Sequence, residues 1–289
     1  MSTIHDKSNK NYLLFDNHMH LRSNGRFLGA VNMFIKAGGN AFNLVNLTED
    51  LGPLSNRYEA IYNQTIKMSE IIRSEMPLDV VVTLGPYPLD YFLFTDHGVD
   101  PMEYMKAGID LAAKYILEGK ANAIGEIGRP HFPVSENVTE VSNEVIIYAM
   151  SICKDLNCPL ILHTEDLSPE DYKQLEKMAL DTGIRMDKIV KHHAGPLDVC
   201  LETKIQKSVL ASRANVREIS KCKGGFLLET DYVDDPASGW KVIPPDSVPK
   251  RAVMMREEIS DWESLFDHCF FEEPITLYGE DAFARNLRL

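Results

Sequence analysis

Short apolar runs alternate with amphipathic stretches along this chain, and the alternation predicts β and α units in turn. Apolar segments fall at residues 13–20, 41–47, 80–84, 122–127, 159–163, 188–193 and 226–229. Between them, residues 26–37, 57–74, 102–117 and 141–156 read as helices. In the second of these, Tyr58, Ile61, Thr65, Met68 and Ile72 share a face; in the fourth, Val141, Val145, Ala149, Ile152 and Leu156 do. Gly38-Gly39 punctuates the end of the first helix. Ser168-Pro169-Glu170-Asp171 starts a further one, with a serine cap, a proline at the first position and acids near the positive end of the dipole. The stretch between His193 and Asp231 must hold two βα units, so a seventh strand is placed at 208–211 and a helix at 215–221.

Strands that are apolar throughout imply burial on both faces, as in a parallel sheet covered by helices. Their polar residues sit at the carboxyl ends, where (β/α)₈ TIM barrels place their sites. The expected fold is therefore α/β, one (β/α)₈ barrel domain over residues 1–289. Hydrophobic residues make up 44% and charged residues 25%, ordinary globular usage that excludes a disordered chain. The net charge of −13 argues against a basic face, so no stable nucleic-acid complex and no anionic-membrane surface are expected. No apolar stretch approaches the roughly 20 residues of a membrane helix. Residues 1–11 are polar and lack the apolar centre of an export signal. Five cysteines without a CxxC pair suggest reduced thiols, and with them a cytoplasmic location.

The chemistry concentrates at strand ends. His18 and His20, two apart on a strand, project to one side and can reach one cation. Glu126 stands between glycines in Gly125-Glu126-Ile127-Gly128. His163 ends the fifth strand, His192-His193 the sixth, and Glu229-Thr230-Asp231 the last. Each alone has an ordinary explanation, such as a satisfied core histidine, a helix cap or an Asx turn. Together, several imidazoles and carboxylates ending apolar strands would be costly unless something shared compensates them, and a divalent metal does so most simply.

The order HxH, Glu, His, His, Asp on successive strands resembles the TatD-type metal-dependent hydrolases of the amidohydrolase superfamily, in particular their archaeal TatD-related group. The resemblance runs from Asp16-Asn17-His18-Met19-His20 to Glu273-Pro274-Ile275-Thr276-Leu277-Tyr278-Gly279, which is similar to the helix closing these barrels. It implies one metal held by His18, His20 and Asp231, a second by His163 and a sixth-strand histidine, and Glu126 bridging them. A related barrel pattern, basic-apolar-apolar-x-x-His, matches residues 188–193 and favours His193 as that ligand, leaving His192 as a substrate contact. The chain departs from the TatD nucleases where His163 is followed by Thr164-Glu165-Asp166 and where a sixth-strand His-x-Phe-x-Gly is missing. Both departures weaken the case for a DNA phosphodiester.

The expected activity is that of a metal-dependent hydrolase using metal-activated water, with Asp231 and Glu126 as catalytic carboxylates. Arg22 and Arg129 are candidate contacts for an anionic substrate, beside Arg26 and His131. Nitrogen and oxygen donors without thiolate suit one or two ions of Zn²⁺, with Mn²⁺, Ni²⁺ or Mg²⁺ as alternatives. The substrate is expected to be a small molecule or phosphoester. A hydrolase of amide, lactone or other cyclic bonds, and a non-catalytic metal-binding barrel, are the competing readings.

Overall fold

The computed structural model describes residues 12–49, 51–235 and 243–287; the polar segment 1–11 lies outside them. The order begins β1 (Phe15–His20), α1 (Leu28–Lys36), β2 (Ala41–Val45), α2 (Arg57–Glu75), β3 (Asp79–Leu84), α3 (Asp90–Asp96) and α4 (Pro101–Leu117). It continues β4 (Ala123–Gly128), α5 (Glu136–Leu156), β5 (Leu160–His163), α6 (Pro169–Thr182), β6 (Ile189–Ala194), β7 (Gln206–Leu210) and α7 (Arg213–Ile219). Last come β8 (Leu227–Glu229), β9 (Tyr232–Val233), α8 (Ser247–Glu258), α9 (Trp262–Asp267) and α10 (Glu273–Tyr278).

Every strand pairing is parallel, in the order β8-β7-β6-β5-β4-β3-β2-β1-β9. β8 and β9 are two halves of one interrupted strand. β8 pairs with β7, β9 pairs with β1, and the Asp231 amide between them donates to the His18 carbonyl at 3.0 Å. The sheet thus closes on itself as the expected (β/α)₈ barrel, which removes its edges.

Alternate side chains fill the interior. Phe15, Ala41, Val81, Ala123, Ile161, Val190 and Leu227 form one apolar cluster with Leu277 and Phe283. These last two come from the C-terminal segment, which plugs the amino end of the barrel; Phe15 meets the Phe283 ring edge-on at 5.2 Å. Above this layer Asn17, Asn43 and Thr83 are buried and bond to one another. Thr83 Oγ1 donates to Asn43 Oδ1 at 2.8 Å, and the Tyr278 hydroxyl reaches Asn17 Oδ1 at 2.9 Å. Hydrogen bonds among its members let this polar layer sit inside the barrel, although Asn17 Nδ2 is buried without a partner.

The serine cap expected at Ser168 is present, and the structure completes it as a capping box: the Asp171 carboxylate accepts from the Ser168 amide at 2.9 Å, and Ser168 Oγ accepts from the Asp171 amide at 3.3 Å. The seventh strand starts two residues earlier than expected, because Gln206 and Lys207 already pair with β6. One expectation fails. Cys200 and Cys222 form a disulfide with Cα atoms 4.9 Å apart, while Cys153, Cys158 and Cys269 are free and buried. Adjacent βα units bring the loops after β6 and after α7 side by side, a proximity that a spacing of 22 residues does not announce. The thiols are not all reduced, so they no longer argue for a reducing compartment. No described helix is long and apolar enough to cross a membrane.

Candidate metal centre

Local irregularities in three strands aim the site. The β1–β2 register shifts between Asp16 and Met19, the β4–β5 register between Ile124 and Ile127, and the β6–β7 register between Lys191 and Ala194. Each shift lies beside a candidate ligand, as bulges commonly do when they re-aim a side chain. Asp16 anchors the first: its buried carboxylate accepts from the amides of His18 (3.2 Å) and Thr230 (3.0 Å) and from Thr230 Oγ1 (2.7 Å). One carboxylate therefore locks the HxH segment to the break in the last strand.

Glu126 is the hub. Its carboxylate lies 3.5 Å from His18 Nε2, 3.6 Å from His20 Nε2, 3.1 Å from His163 Nδ1 and 3.0 Å from His192 Nε2. Asp231 approaches from the mouth, 3.7 Å from His20 Nε2. The structure thus brings His18, His20, Glu126, His163 and Asp231 into one cluster, and it corrects the sixth strand. His192 is buried and faces Glu126, whereas His193 is exposed with φ +51°. The physical reason is the pleat: Val190 points into the barrel, so His192 does too, and His193 turns away. Glu229, which the sequence pattern leaves in the shadow of Asp231, also reaches the centre. It is fully buried, and its Oε1 lies 3.0 Å from His192 Nδ1 and accepts from the His193 amide at 2.7 Å. The alternation 227, 229, 231 is the signal that points to it.

The electrostatics follow from this crowding. Burial alone would raise the Glu126 carboxyl, but His18 and His192, with hydrogen bonds from His163 and His18, outweigh it and hold it well below the usual carboxylate range. Burial likewise opposes ionisation of Glu229, yet the His192 imidazole beside it brings that carboxyl down to about 2. His192 is pushed well above its ordinary value, since Glu229 and Glu126 together overcome its desolvation. His20 is lowered, by burial first and by its neighbour His18 second.

Among the described residues, three overlapping groups could hold a metal ion, each with ligand atoms within 4.8 Å of one another: His18, His20 and Asp231; Glu126, His163 and His192; and His18, His192 and Glu229. The donors fit such an ion. Ring nitrogens are brought face to face, His18 Nε2 to His20 Nε2 at 3.1 Å and His163 Nδ1 to His192 Nε2 at 3.2 Å. Three of the four outward nitrogens are engaged elsewhere: His20 Nδ1 at the Val45 carbonyl (3.1 Å), His192 Nδ1 at Glu229, and His163 Nε2 near the Tyr87 hydroxyl (3.4 Å) and His131 Nδ1 (3.2 Å); His18 Nδ1 is buried without a partner. Such partners fix the tautomer that leaves the inner nitrogen free for metal.

The arginines take different places. Arg22 is half-buried at the mouth, its Nε 2.9 Å from Glu49. Arg129 is buried, its Nε 3.0 Å from Glu165 and its Nη1 donating to Asn143.

A family model for TatD related DNase matches residues 15–278. The chain belongs to this family. An uncharacterised protein of Methanocaldococcus jannaschii is 32% identical over 243 residues, covering 79% of this chain and 84% of the relative. Among solved structures, the Escherichia coli TatD homologue YJJV superposes with a TM-score of 0.60 at 16% identity, over 91% of this chain and 97% of that one. The Escherichia coli phosphotriesterase homology protein, solved with phosphate in its active site, gives 0.64 at 14% identity over 93% and 99%. At these identities the two structures show a shared fold, and the family membership rests on the chain-wide match.

Proposed function

We propose that this TatD-family barrel is a hydrolase that uses one or two divalent ions, Zn²⁺ first among them, to activate water. The observation that carries the reading is Glu126, a buried ionised carboxylate met by four imidazoles, with Asp231 at the open side. When bound, divalent ions would lower the pKa of a coordinated water toward about 7 and polarise the bond under attack.

In this reading His18, His20 and Asp231 would hold one ion and His163 and His192 the other, with the Glu126 carboxylate within 3.6 Å of ring nitrogens of both sets. Asp231 keeps 29% of its side chain exposed, so one of its oxygens can accept the proton released by attacking water. Glu126, surrounded by imidazoles and almost fully buried, serves as ligand instead of base. Glu229 holds His192 in the tautomer the ion requires. Arg22 and Arg129, the candidate contacts for an anionic group, are each paired with a carboxylate, Glu49 and Glu165. Phosphoesters are the first substrate class to test. Lactones and amides form the second, favoured by the pairing of both arginines with carboxylates.

The decisive experiment measures metal content of the purified chain, strips and restores Zn²⁺, Mn²⁺, Ni²⁺ or Mg²⁺, and assays phosphomonoesters, phosphodiesters, lactones and amides. Turnover that vanishes with the metal and returns with it supports the reading. Metal bound at full occupancy without turnover of any class replaces it with a non-catalytic metal protein.

A further inference from the structure

A row of rings leads from the metal centre to the surface. Tyr87 packs edge-on against His163 with centroids 5.0 Å apart, and His163 meets His131 at 5.4 Å. His131 packs against Phe132 at 5.4 Å, and Phe132 stacks on Phe92 at 6.1 Å with planes 23° apart. The loop after β4 and helix α3 supply the outer members. Phe132 is 41% exposed, a large apolar ring left to solvent beside a polar centre. Phe92 backs it, and Tyr91 beside Phe92 is tied down by Asn137, whose amide donates to the Tyr91 hydroxyl at 3.0 Å. The wall is therefore braced by Phe92 and partly exposed at Phe132.

The charges at the mouth select among the flat groups that could stack there. Arg22 is matched by Glu49 at 2.9 Å and Asp235 at 3.7 Å, and Arg129 by Glu165 at 3.0 Å. Asp166 stands exposed after Glu165 on the same loop. The metal ions would attract one phosphoryl or acyl group, but further phosphates along a strand would meet carboxylates whose cations are already taken.

We propose that the row ending in Phe132 is a subsite for the planar aromatic group of a small ester, whose single phosphoryl or acyl group sits at the metal centre. The proposal rests on the hydrolase reading and names its substrate class. The ring stacks on Phe132 next to His131, two centroid steps of 5.4 Å along the row from the ligand His163. A nucleobase offers the same flat face, but its strand brings the charges that the rim repels.

The test is binding, which needs no turnover. Phenylphosphonate and methylphosphonate carry the same head group and a carbon–phosphorus bond that hydrolysis leaves intact. Calorimetry on the full Zn²⁺-loaded chain should show the phenyl compound binding about 5- to 10-fold tighter, the size of a good ring–ring contact. Phe132→Ala should abolish that preference and leave methylphosphonate affinity unchanged. Phe132→Leu, which keeps apolar area but not the flat face, should abolish most of it. Equal or undetectable binding of the two compounds, or a preference that survives Phe132→Ala, overturns the proposal. A thymidylate tetramer that binds tighter than phenylphosphonate through Phe132 also overturns it, by assigning the row to base stacking on a nucleic acid. The hydrolase reading fails separately, through absence of metal-dependent turnover, whatever the phosphonates do.

Discussion

The carboxylate of Glu229 lies 3.0 Å from His192 Nδ1, while the opposite nitrogen of the same imidazole lies 3.0 Å from Glu126. One buried ring is thus held between two buried carboxylates, and only Glu126 is proposed to touch both ions. Carboxylate–histidine–metal relays of this kind raise ligand basicity and fix ring orientation. Glu229→Gln should weaken metal binding by about 10- to 100-fold without removing a direct ligand. Competition titration with a chromophoric chelator reads this directly. Unchanged affinity would reduce Glu229 to a packing role.

The same pair sets a pH dependence. In the metal-free protein Glu229 and Glu126 raise His192 well above its ordinary value against the pull of burial. A raised histidine stabilises the folded chain below its unfolded pKa, and that contribution is lost as pH rises through the folded value. Metal must displace this proton, so affinity should climb about tenfold per pH unit above roughly 6.5 until His192 loses it unaided. Calorimetry at about pH 7 in buffers of different ionisation enthalpy should show about one proton released at this position, and Glu229→Gln should reduce that number.

The neighbours His192 and His193 should behave oppositely. His192→Ala removes a nitrogen that faces Glu126 and should lower bound metal by about one ion per chain where two are held. His193→Ala, at an exposed ring, should leave metal content and melting temperature nearly unchanged. Elemental analysis of both proteins decides it, and the reverse result would restore His193 as ligand.

That pair also shows where the sequence is legible and where it is not. Strand positions are readable because each strand must be apolar on both faces, and the HxH spacing needs only the pleat. A pattern borrowed from related barrels favours His193 over His192, although counting by twos from Val190 gives His192. Glu229 is overshadowed by its neighbour Asp231, although counting by twos from Leu227 gives both 229 and 231. The break in the last strand depends on Asp16 reaching Thr230 across 214 residues, a long-range bond with no local signature. The Cys200–Cys222 bridge is invisible for the same reason.

That bridge closes a 22-residue span, and constraining the unfolded chain over such a loop is worth about 3 kcal/mol. Cys200→Ser, or treatment with a thiol reductant, should lower stability in urea by roughly this amount. Both loops belong to units that carry His192 and Glu229, so metal affinity should be followed in the same samples. A reductant-insensitive unfolding curve would mean that the bridge contributes nothing to stability.

The most direct probe of mechanism is Asp231→Asn. Asp231 is the one carboxylate of the cluster that combines nearness to His20, at 3.7 Å, with a side chain 29% exposed; Glu126 and Glu229 are buried among imidazoles that keep them ionised. An acceptor for the proton of attacking water must be both basic and reachable by that water, which leaves Asp231. Asparagine keeps the shape and one oxygen donor but loses charge and basicity. The backbone there is already in the left-handed region, at φ +48°, which asparagine tolerates as well as aspartate does. The Asp231 amide bond to the His18 carbonyl is untouched by the substitution, so the strand break should persist. The variant should therefore fold with a melting temperature close to that of the parent, bind less metal at the His18–His20 position, and hydrolyse substrate at least about 10²-fold more slowly. Raising the metal concentration until occupancy is restored separates the two effects: a rate that recovers fully makes Asp231 a ligand only, and a rate that stays low makes it the base.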